Sequence, residues 1–249
     1  MLIEQTMERL RALRLTGMAE ALIEQQQTIT SNELSFDERL GLLVDSEYTY
    51  RENSRLYRYL REAKLRHSQA CLEDLDYAPR RKIEKAVIAQ LAVCLWIKEH
   101  QNIIITGATG VGKSYLSCAL GNQACRKGFR VLYRRVPRLF EELALSHADG
   151  TYPKLLKRFA KSDVLILDDF GMTPMKSIDR RDLLELLEDR DDMKSTIIAG
   201  QLPPESWHDY INDPTTADAI CDRVIHNAHK INLKGPSKRK ELAQKNKRK

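Results

Sequence analysis

The feature that most constrains the fold is a glycine-rich octapeptide, GATGVGKS, at residues 107–114. It follows a short apolar run, NIIIT, and it precedes a helix-like stretch that reaches Cys125. Glycines allow backbone conformations that turn successive N–H groups inward, and the N-terminus of a following helix adds a partial positive charge. This strand, loop and helix pattern predicts a phosphate-binding loop (P-loop) within an α/β fold.

The P-loop predicts how the chain holds a nucleotide. We expect ATP to bind with Mg²⁺, with Lys113 contacting the β- and γ-phosphates and the hydroxyl group of Ser114 coordinating the metal. The alternative is a glycine-rich turn that binds no ligand, although the flanking strand and helix are the context that the motif needs. The predicted nucleotide-binding residues are Gly107, Ala108, Thr109, Gly110, Val111, Gly112, Lys113, Ser114 and Tyr115.

A second element, VLILDDF at residues 164–170, places two carboxylates after four apolar residues. A buried parallel strand would carry these carboxylates to its C-terminal end, where open α/β sheets bind ligands. We expect Asp168 to join the magnesium shell and Asp169 to polarise a water molecule that attacks the γ-phosphate. A P-loop kinase would also transfer this phosphoryl group, but an apolar run followed by two aspartates favours ATP hydrolysis. Lys113, Asp168 and Asp169 are therefore predicted to be catalytic.

Short apolar runs alternate with helical segments from Gln101 onward, at residues 102–106, 130–134, 164–167, 196–199 and 230–233. Buried parallel strands between helices have this pattern. Apolar residues in the first 66 positions recur at helical spacing instead, with a break near residues 28–35. We predict a helical N-terminal domain that contacts DNA or a partner (1–66), a linker (67–80), an ATPase domain (81–233) and a basic C-terminal tail (234–249).

Positive charge is concentrated at the C-terminus. The formal net charge is +6, yet residues 234–249 alone contain eight basic residues and one acidic residue. Such a tail is typical of a disordered arm that contacts nucleic acid, because binding releases counterions. A purely solubilising end is the alternative. The five cysteines lack metal-ligand spacing, and the sequence contains no secretory signal or membrane-spanning apolar run. These features favour a cytoplasmic protein without a membrane partner.

A second basic feature lies on a predicted helix at residues 151–161, TYPKLLKRFAK. At about 100° per residue, its cations fall within an arc of about 100°, and its apolar residues lie on the opposite side. This arc fits contact with DNA phosphates, and an ordinary solvated helix face is the alternative. The predicted DNA-binding residues are Lys154, Lys157, Arg158 and Lys161.

Four strings of residues carry a family resemblance: GATGVGKSYLSCALG, VLILDDFG, STIIAGQLPPESW and ADAICDRVIH. They resemble the IstB-type ATPases of bacterial transposons, which are helpers of a DDE transposase and relatives of the DnaC helicase loader. LRLTGMAEAL near the N-terminus and LEDLDY before the predicted ATPase domain resemble the same family. The resemblance extends over nearly the whole chain, from about residue 8 to residue 239.

The resemblance implies an AAA+ core with a parallel sheet flanked by helices. Only 26 residues follow Arg223, so we expect no C-terminal lid. The family also implies that Gln201 is a polar sensor of the γ-phosphate or the water, and that Arg223 is an arginine finger for the γ-phosphate of a neighbouring subunit. An exposed polar residue and a surface salt bridge are the respective alternatives. GPSKR replaces the family's usual G-E-S-x-R, and Arg239 receives no role.

Three functions are open at this point. The first, which the LTGMAEAL string favours, is a Mg²⁺-dependent ATPase that forms a homo-oligomer on double-stranded target DNA and recruits or activates an IstA-type transposase. The second is a DnaC-like replicative helicase loader that binds single-stranded DNA. The third is a structural DNA-coating protein in which ATP only holds subunits together. The number of subunits, the target-site preference and the particular transposase do not follow from the sequence.

Overall fold

The structure is a computed structural model that describes residues 2–28, 33–78, 81 and 83–238. The chain divides into two compact units, residues 1–58 and 59–249, so the second unit begins within the predicted helical region. None of the helices in the described part of the chain has the length and apolar character required to span a bilayer.

The first unit is built from helices, as the apolar spacing predicts. Its helices are α1 (Leu2–Ala12), α2 (Thr16–Gln27) and α3 (Phe36–Ala63), and the last turn of α3 belongs to the second unit. Gly17 lets α2 approach α3 closely, because a Cβ atom there would lie 2.7 Å from the carbonyl oxygen of Ser46. The buried carboxylate of Glu47 accepts a 3.2 Å hydrogen bond from the backbone N–H of Met18. The predicted break includes residues 29–32, which lie outside the described residues.

The second unit alternates strands and helices after α3. Its elements are α4 (Lys85–Ala92), α5 (Leu95–Lys98), β1 (Asn102–Gly107), α6 (Lys113–Arg126), β2 (Val131–Arg135), α7 (Val136–Asp149), α8 (Tyr152–Ala160), β3 (Val164–Phe170), α9 (Ser177–Glu188), β4 (Ser195–Gly200), α10 (Trp207–Ile211), α11 (Pro214–Ile225) and β5 (Ala228–Leu233). The five predicted strands are present, and their ends differ from the predicted ends by at most three residues. Hydrogen-bonded pairing, rather than the apolar pattern, sets where each strand stops.

The five strands form one parallel sheet in the order β2-β3-β4-β1-β5. Because the strands are parallel, their carboxyl ends meet at one edge of the sheet, and the helical crossovers cover its faces. That edge carries the P-loop after β1, the aspartate pair near the end of β3 and Gln201 after β4. The predicted α/β fold, a parallel sheet flanked by helices, is confirmed.

Apolar side chains cover both faces of the sheet. On one face, helices α7, α8, α9 and α11 pack around Leu167, Phe170 and Trp207, each of which is at most 1% exposed. On the other face, α6 lies so close to β3 that a Cβ atom at Gly121 would be 2.7 Å from Cδ1 of Ile166. This close packing holds α6, which follows the P-loop, against the strand that carries the aspartates.

The predicted linker is a packed part of the second unit over residues 67–78. Its side chains at Ala70, Leu72 and Leu75 are buried, with 8% exposure or less. The amide of Asn122 on α6 donates a 3.2 Å hydrogen bond to the carbonyl oxygen of Ser68. The segment therefore packs against the unit that contains the P-loop. Residues 79 and 80, at the end of the predicted linker, lie outside the described residues.

The predicted basic tail begins with an ordered contact to the P-loop. The backbone N–H of Lys238 donates a 2.9 Å hydrogen bond to the carbonyl oxygen of Gly110. The guanidinium group of Arg81, which is 1% exposed, donates a 2.6 Å hydrogen bond to the carbonyl oxygen of Pro236. The backbone of residues 234–238 is thus held by hydrogen bonds to the P-loop and to Arg81. The remainder of the predicted tail, which includes Arg239, lies outside the described residues.

Candidate nucleotide-binding site

The P-loop adopts backbone conformations that require its glycines. The angle φ is +143° at Gly107, +84° at Gly110 and +112° at Gly112, where L-amino acids with side chains are strained. A Cβ atom at Gly107 would also lie 2.3 Å from the carbonyl oxygen of Leu233 on β5. Helix α6 begins at Lys113, directly after the loop. The loop therefore offers the partly positive N-terminus of a long helix to an anion.

Six of the nine predicted nucleotide-binding residues line one cleft with a volume of about 560 Å³. The P-loop residues that line it are Thr109, Gly110, Gly112, Lys113, Ser114 and Tyr115. The ammonium group of Lys113 donates hydrogen bonds to the carbonyl oxygens of Gly107 at 2.8 Å and Ala108 at 2.9 Å. Val111 is 2% exposed, so its side chain belongs to the core and only its backbone is available to a ligand.

The carboxylate of Asp168 is buried beside the start of α6, with 1% of the residue exposed. Its Oδ2 atom accepts a 2.6 Å hydrogen bond from the hydroxyl group of Tyr133 on β2. Burial, followed by the negative charge of Asp168, raises the pKa of Tyr133, so the phenol stays protonated and donates. Burial, together with the charge of Asp168, raises the pKa of the Cys118 thiol to about 11. Cys118 lies one helical turn after Ser114, which places Asp168 near the predicted magnesium ligand.

Asp169 lines the cleft, but its environment differs from that expected of a residue that only polarises water. Its φ of +60° and a register shift between β3 and β4 form a bulge that re-aims the side chain. Its Oδ2 atom accepts a 2.5 Å hydrogen bond from Nε of Arg135, at the end of β2. The same oxygen lies 3.7 Å from Nη1 of Arg66. The hydrogen bond to Asp169 raises the pKa of Arg135.

Gln201 lies directly after β4 and is exposed on the wall of the same cleft. The structure therefore brings it together with Lys113 and Asp169, which also line the cleft. Its role as a sensor of the γ-phosphate stays a prediction.

Arg223 is not brought to this cleft. Its Nη2 atom donates a 2.7 Å hydrogen bond to Oε1 of Glu188, which forms the salt bridge named as the alternative. Its carbonyl oxygen accepts a 3.1 Å hydrogen bond from Asn102, at the amino end of β1. Arg223 therefore lies at the edge of the sheet opposite the P-loop, and its contact with a neighbouring subunit stays a prediction.

The four predicted DNA-binding cations are exposed along α8 and just after it. They are Lys154, Lys157, Arg158 and Lys161. Leu156 and Phe159 are 5% and 0% exposed on the opposite side, as the helical spacing predicts. Arg130 adds a further cation to the same surface depression, whose volume is about 540 Å³. The acidic residue of this surface is Glu62, whose Oε2 atom lies 3.5 Å from Nη2 of Arg130. Positive charge therefore dominates the surface.

The chemistry of the cleft fits ATP and Mg²⁺. Lys113, Arg135 and Arg66 supply positive charge for a polyphosphate, and the glycine backbone leaves the loop open to it. The Ser114 hydroxyl group and the Asp168 carboxylate are oxygen ligands of the kind that Mg²⁺ prefers. The donor set therefore suits a magnesium nucleotide.

Three residues near the aspartate pair were missed by sequence reasoning: Tyr133, Arg135 and Arg66. The run VLYRR predicts a strand, but the run alone does not tell that β2 pairs with β3 and places Arg135 opposite Asp168. The carboxyl ends of parallel strands lie at one edge of the sheet. This rule could have indicated that residues at the end of β2 lie near those at the end of β3. The residue types around Arg66 do not indicate that the segment after α3 reaches this cleft.

A P-loop after β1, an aspartate pair on β3 and a polar residue after the intervening β4 define an AAA+ P-loop protein that binds ATP. The sequence profile of the IstB-like ATP binding protein family matches residues 8–247, and the chain belongs to this family. It is 48% identical over 245 residues to an insertion sequence ATP-binding protein of Sinorhizobium fredii, covering 98% of this chain and 100% of that protein. It is 49% identical over 203 residues to an insertion sequence ATP-binding protein of Pseudomonas fluorescens, covering 82% of this chain and 88% of that protein.

Solved structures support the same fold. The crystal structure of the DnaC helicase loader is 21% identical with a TM-score of 0.54, and the match covers 71% of this chain and 99% of that chain. AMPPCP-bound DnaA from Aquifex aeolicus is 19% identical with a TM-score of 0.57, over 73% of this chain and 55% of that chain. At such identities these likenesses establish the fold alone, and they agree with the AAA+ core that the resemblance implied.

Proposed function

We propose that this protein is an ATP-hydrolysing helper of transposition that assembles on double-stranded target DNA and recruits or activates a transposase. The observation that carries the proposal is that the P-loop, Asp169 and Gln201 surround one cleft, with Asp168 buried beside it. The chain belongs to a family whose similar members are insertion sequence ATP-binding proteins. The site and the family together support ATP turnover that serves an insertion sequence.

The proposed reaction uses side chains that the cleft already holds near one another. Lys113 leaves its two loop carbonyls and neutralises charge on the β- and γ-phosphates. Ser114 and Asp168 would hold Mg²⁺, which would supply further positive charge against the triphosphate. A water molecule adds to the γ-phosphorus while the bond to the β–γ bridging oxygen breaks. Asp169 accepts the water's proton on Oδ1, because Oδ2 is held by Arg135.

The position of Arg223 supports assembly into a homo-oligomer. Within one subunit Arg223 lies at the opposite edge of the sheet from the P-loop, so it does not serve its own cleft. A guanidinium group contributes strongly when it reaches the γ-phosphate across a subunit boundary. In that assembly, Arg223 exchanges its ion pair with Glu188 for the phosphate of the neighbouring subunit.

The exposed cations of α8 support DNA binding. Lys154, Lys157, Arg158, Lys161 and Arg130 share one depression, and Glu62 is the acidic residue beside them. Cations that contact phosphates gain free energy from counterion release, which depends on salt and not on base sequence. The proposed binding is therefore salt-sensitive and tolerant of target sequence.

The helicase loader is the second candidate, because the fold is similar to that of DnaC. That likeness covers 71% of this chain, whereas the relative from Sinorhizobium fredii matches 98% of it. The insertion sequence relatives thus match parts of this chain that the solved loader chain does not match, which favours transposition.

A competition pull-down tests the choice of partner. Tagged full-length protein is mixed with Mg²⁺-ATP, the transposase of its own insertion sequence, the host replicative helicase and either duplex or single-stranded DNA. We expect retention of the transposase with duplex DNA, and loss of retention in Lys113→Ala, which cannot hold the nucleotide. Retention of the helicase with single-stranded DNA, without transposase, would instead support a loader.

A further inference from the structure

The backbone that leads to Arg66 is anchored on the second unit. Helix α3 ends at Ala63, which is 0% exposed, and Lys64 turns the chain with a φ of +52°. Leu65 follows with 8% exposure, and its Cδ2 atom would lie 3.2 Å from a Cβ atom at Gly121 on α6. Arg66 therefore extends from a fixed turn rather than from a loose loop.

This turn places Arg66 beside the first turns of α6. The backbone of Arg66 lies near the thiol of Cys118, whose pKa it lowers against the larger effect of burial, and Cys118 is one helical turn after Ser114. From there the side chain of Arg66 lines the nucleotide cleft with Lys113 and Arg135. Arg66 thus reaches the cleft from a segment that precedes every strand of the sheet in the sequence.

Among the described residues, Arg66 makes a long ion pair. Its ion pair with Oδ2 of Asp169 is 3.7 Å long, while Arg135 occupies the same oxygen at 2.5 Å. A guanidinium group carries several N–H donors, so this long contact uses little of its capacity to bind an anion. Because 36% of the Arg66 side chain is exposed, such an ion pair also contributes little to folding stability.

The neighbours of Arg66 indicate which part of a nucleotide it meets. Asp169 and Gln201 mark the end of the cleft at which the proposed reaction places the γ-phosphate. We propose that Arg66 binds the terminal phosphate of ATP within its own subunit and thereby makes the site prefer ATP to ADP. This assignment rests on the proposed ATPase function, and it adds a second arginine that is distinct from Arg223. When no terminal phosphate is bound, Arg66 returns to Asp169.

Nucleotide affinities separate this role from a structural one. Isothermal titration calorimetry with MgCl₂ compares the non-hydrolysable analogue AMPPCP with ADP, on full-length wild type, Arg66→Ala, Arg66→Lys and Arg61→Ala. Arg61 is the matched control, since it is an exposed arginine in the last turn of α3, the helix that precedes Arg66. We expect Arg66→Ala to lose about tenfold or more in AMPPCP affinity and less than about twofold in ADP affinity. Lysine restores part of the loss, because it keeps the charge without the planar fork.

Other results would overturn the assignment. Unchanged AMPPCP affinity in Arg66→Ala, or a loss equal to that of Arg61→Ala, would remove Arg66 from the site while leaving the proposed ATPase intact. A parallel loss for both nucleotides, accompanied by a lower unfolding temperature of the nucleotide-free variant, would show a merely structural residue. A wild-type protein that binds neither nucleotide would remove both this assignment and the proposed function.

Discussion

The hydroxyl group of Tyr133 donates a 2.6 Å hydrogen bond to the buried carboxylate of Asp168, across the pairing of β2 with β3. This contact gives the buried carboxylate of Asp168 a polar partner within the protein. The same carboxylate is the predicted magnesium ligand, so one side chain links the stability of the sheet to the chemistry of the cleft.

Replacing Tyr133 with phenylalanine is expected to lower the free energy of unfolding by about 1–3 kcal/mol, because the buried carboxylate loses its hydrogen bond. Urea unfolding measures this change, with Tyr57→Phe as the control, since Tyr57 is 74% exposed. With Mg²⁺ and AMPPCP present, the difference in the free energy of unfolding between wild type and Tyr133→Phe should be smaller, because the metal supplies another partner for Asp168. Equal stabilities of the two variants would contradict the role assigned to Tyr133.

Replacing Asp169 with asparagine is expected to keep ATP binding and to slow phosphate release by about 10²- to 10⁴-fold, because an amide does not accept the proton of water. Steady-state phosphate release and nucleotide affinity measure the two effects separately. Assemblies on DNA should still form with ATP. If the wild-type protein also released no phosphate, ATP would act only to hold subunits together.

Replacing Arg223 with alanine is expected to leave ATP affinity nearly unchanged and to lower turnover by about 10³-fold or more, because the finger acts on a neighbour. Mixing this variant with Lys113→Ala should restore part of the activity, since each protein supplies what the other lacks. Glu188→Gln controls for the lost ion pair, because it breaks that pair and keeps Arg223. No recovery on mixing would argue against a shared site.

Reversing two charges on α8, with Lys157→Glu and Arg158→Glu, is expected to weaken duplex DNA binding for every sequence tested. The salt dependence of the remaining affinity should also become less steep, because fewer counterions are released. Fluorescence anisotropy at several salt concentrations measures both quantities. Lys98→Glu with Lys127→Glu is the matched control, since both lysines are exposed and lie outside this surface. Equal weakening of DNA binding by both pairs of substitutions would show that the effect comes from net charge alone.

Three buried thiol groups are expected to lower the free energy of unfolding as the pH becomes alkaline. Burial raises the pKa values of Cys94 and Cys118 to about 11 and that of Cys125 to about 12, from a usual 9.0. The unfolded chain therefore loses these protons first as the pH rises. Their contribution to stability is complete below about pH 9 and is lost between about pH 9 and 12. Urea unfolding at pH 8 and pH 10 measures the loss, and Cys125→Ala should show a smaller one.

The local motifs could be predicted because their conformations depend on residue types that are adjacent in sequence. The glycines of GATGVGKS require left-handed backbone angles wherever the motif occurs, and Gly107, Gly110 and Gly112 have them. Apolar runs separated by helical segments predict parallel strands, whose carboxyl ends meet at one edge of the sheet. The helices of α1 to α3 follow equally from apolar spacing.

The contacts of the predicted linker and tail could not be predicted. Residues 67–78 read as a connection because they are polar and irregular, yet Leu72 and Leu75 are buried. The sequence of residues 234–238 predicts a charged arm. In the structure, a hydrogen bond between two backbone groups, at Lys238 and Gly110, joins this segment to the P-loop. Backbone hydrogen bonds between distant segments leave no pattern in the side chains.

What the sequence alone determined about this protein is therefore the α/β class, the P-loop and the aspartate pair, because glycine conformation and hydrophobic periodicity act over a few neighbouring residues. The tertiary structure decided which side chains meet the aspartates. Tyr133 and Arg135 reach them through the pairing of β2 with β3, and Arg66 through the packing of the turn after α3 on α6. It also decided that Arg223 lies at the far edge of the sheet. Such neighbours depend on strand order and helix packing, which are properties of the whole folded chain and not of any local segment.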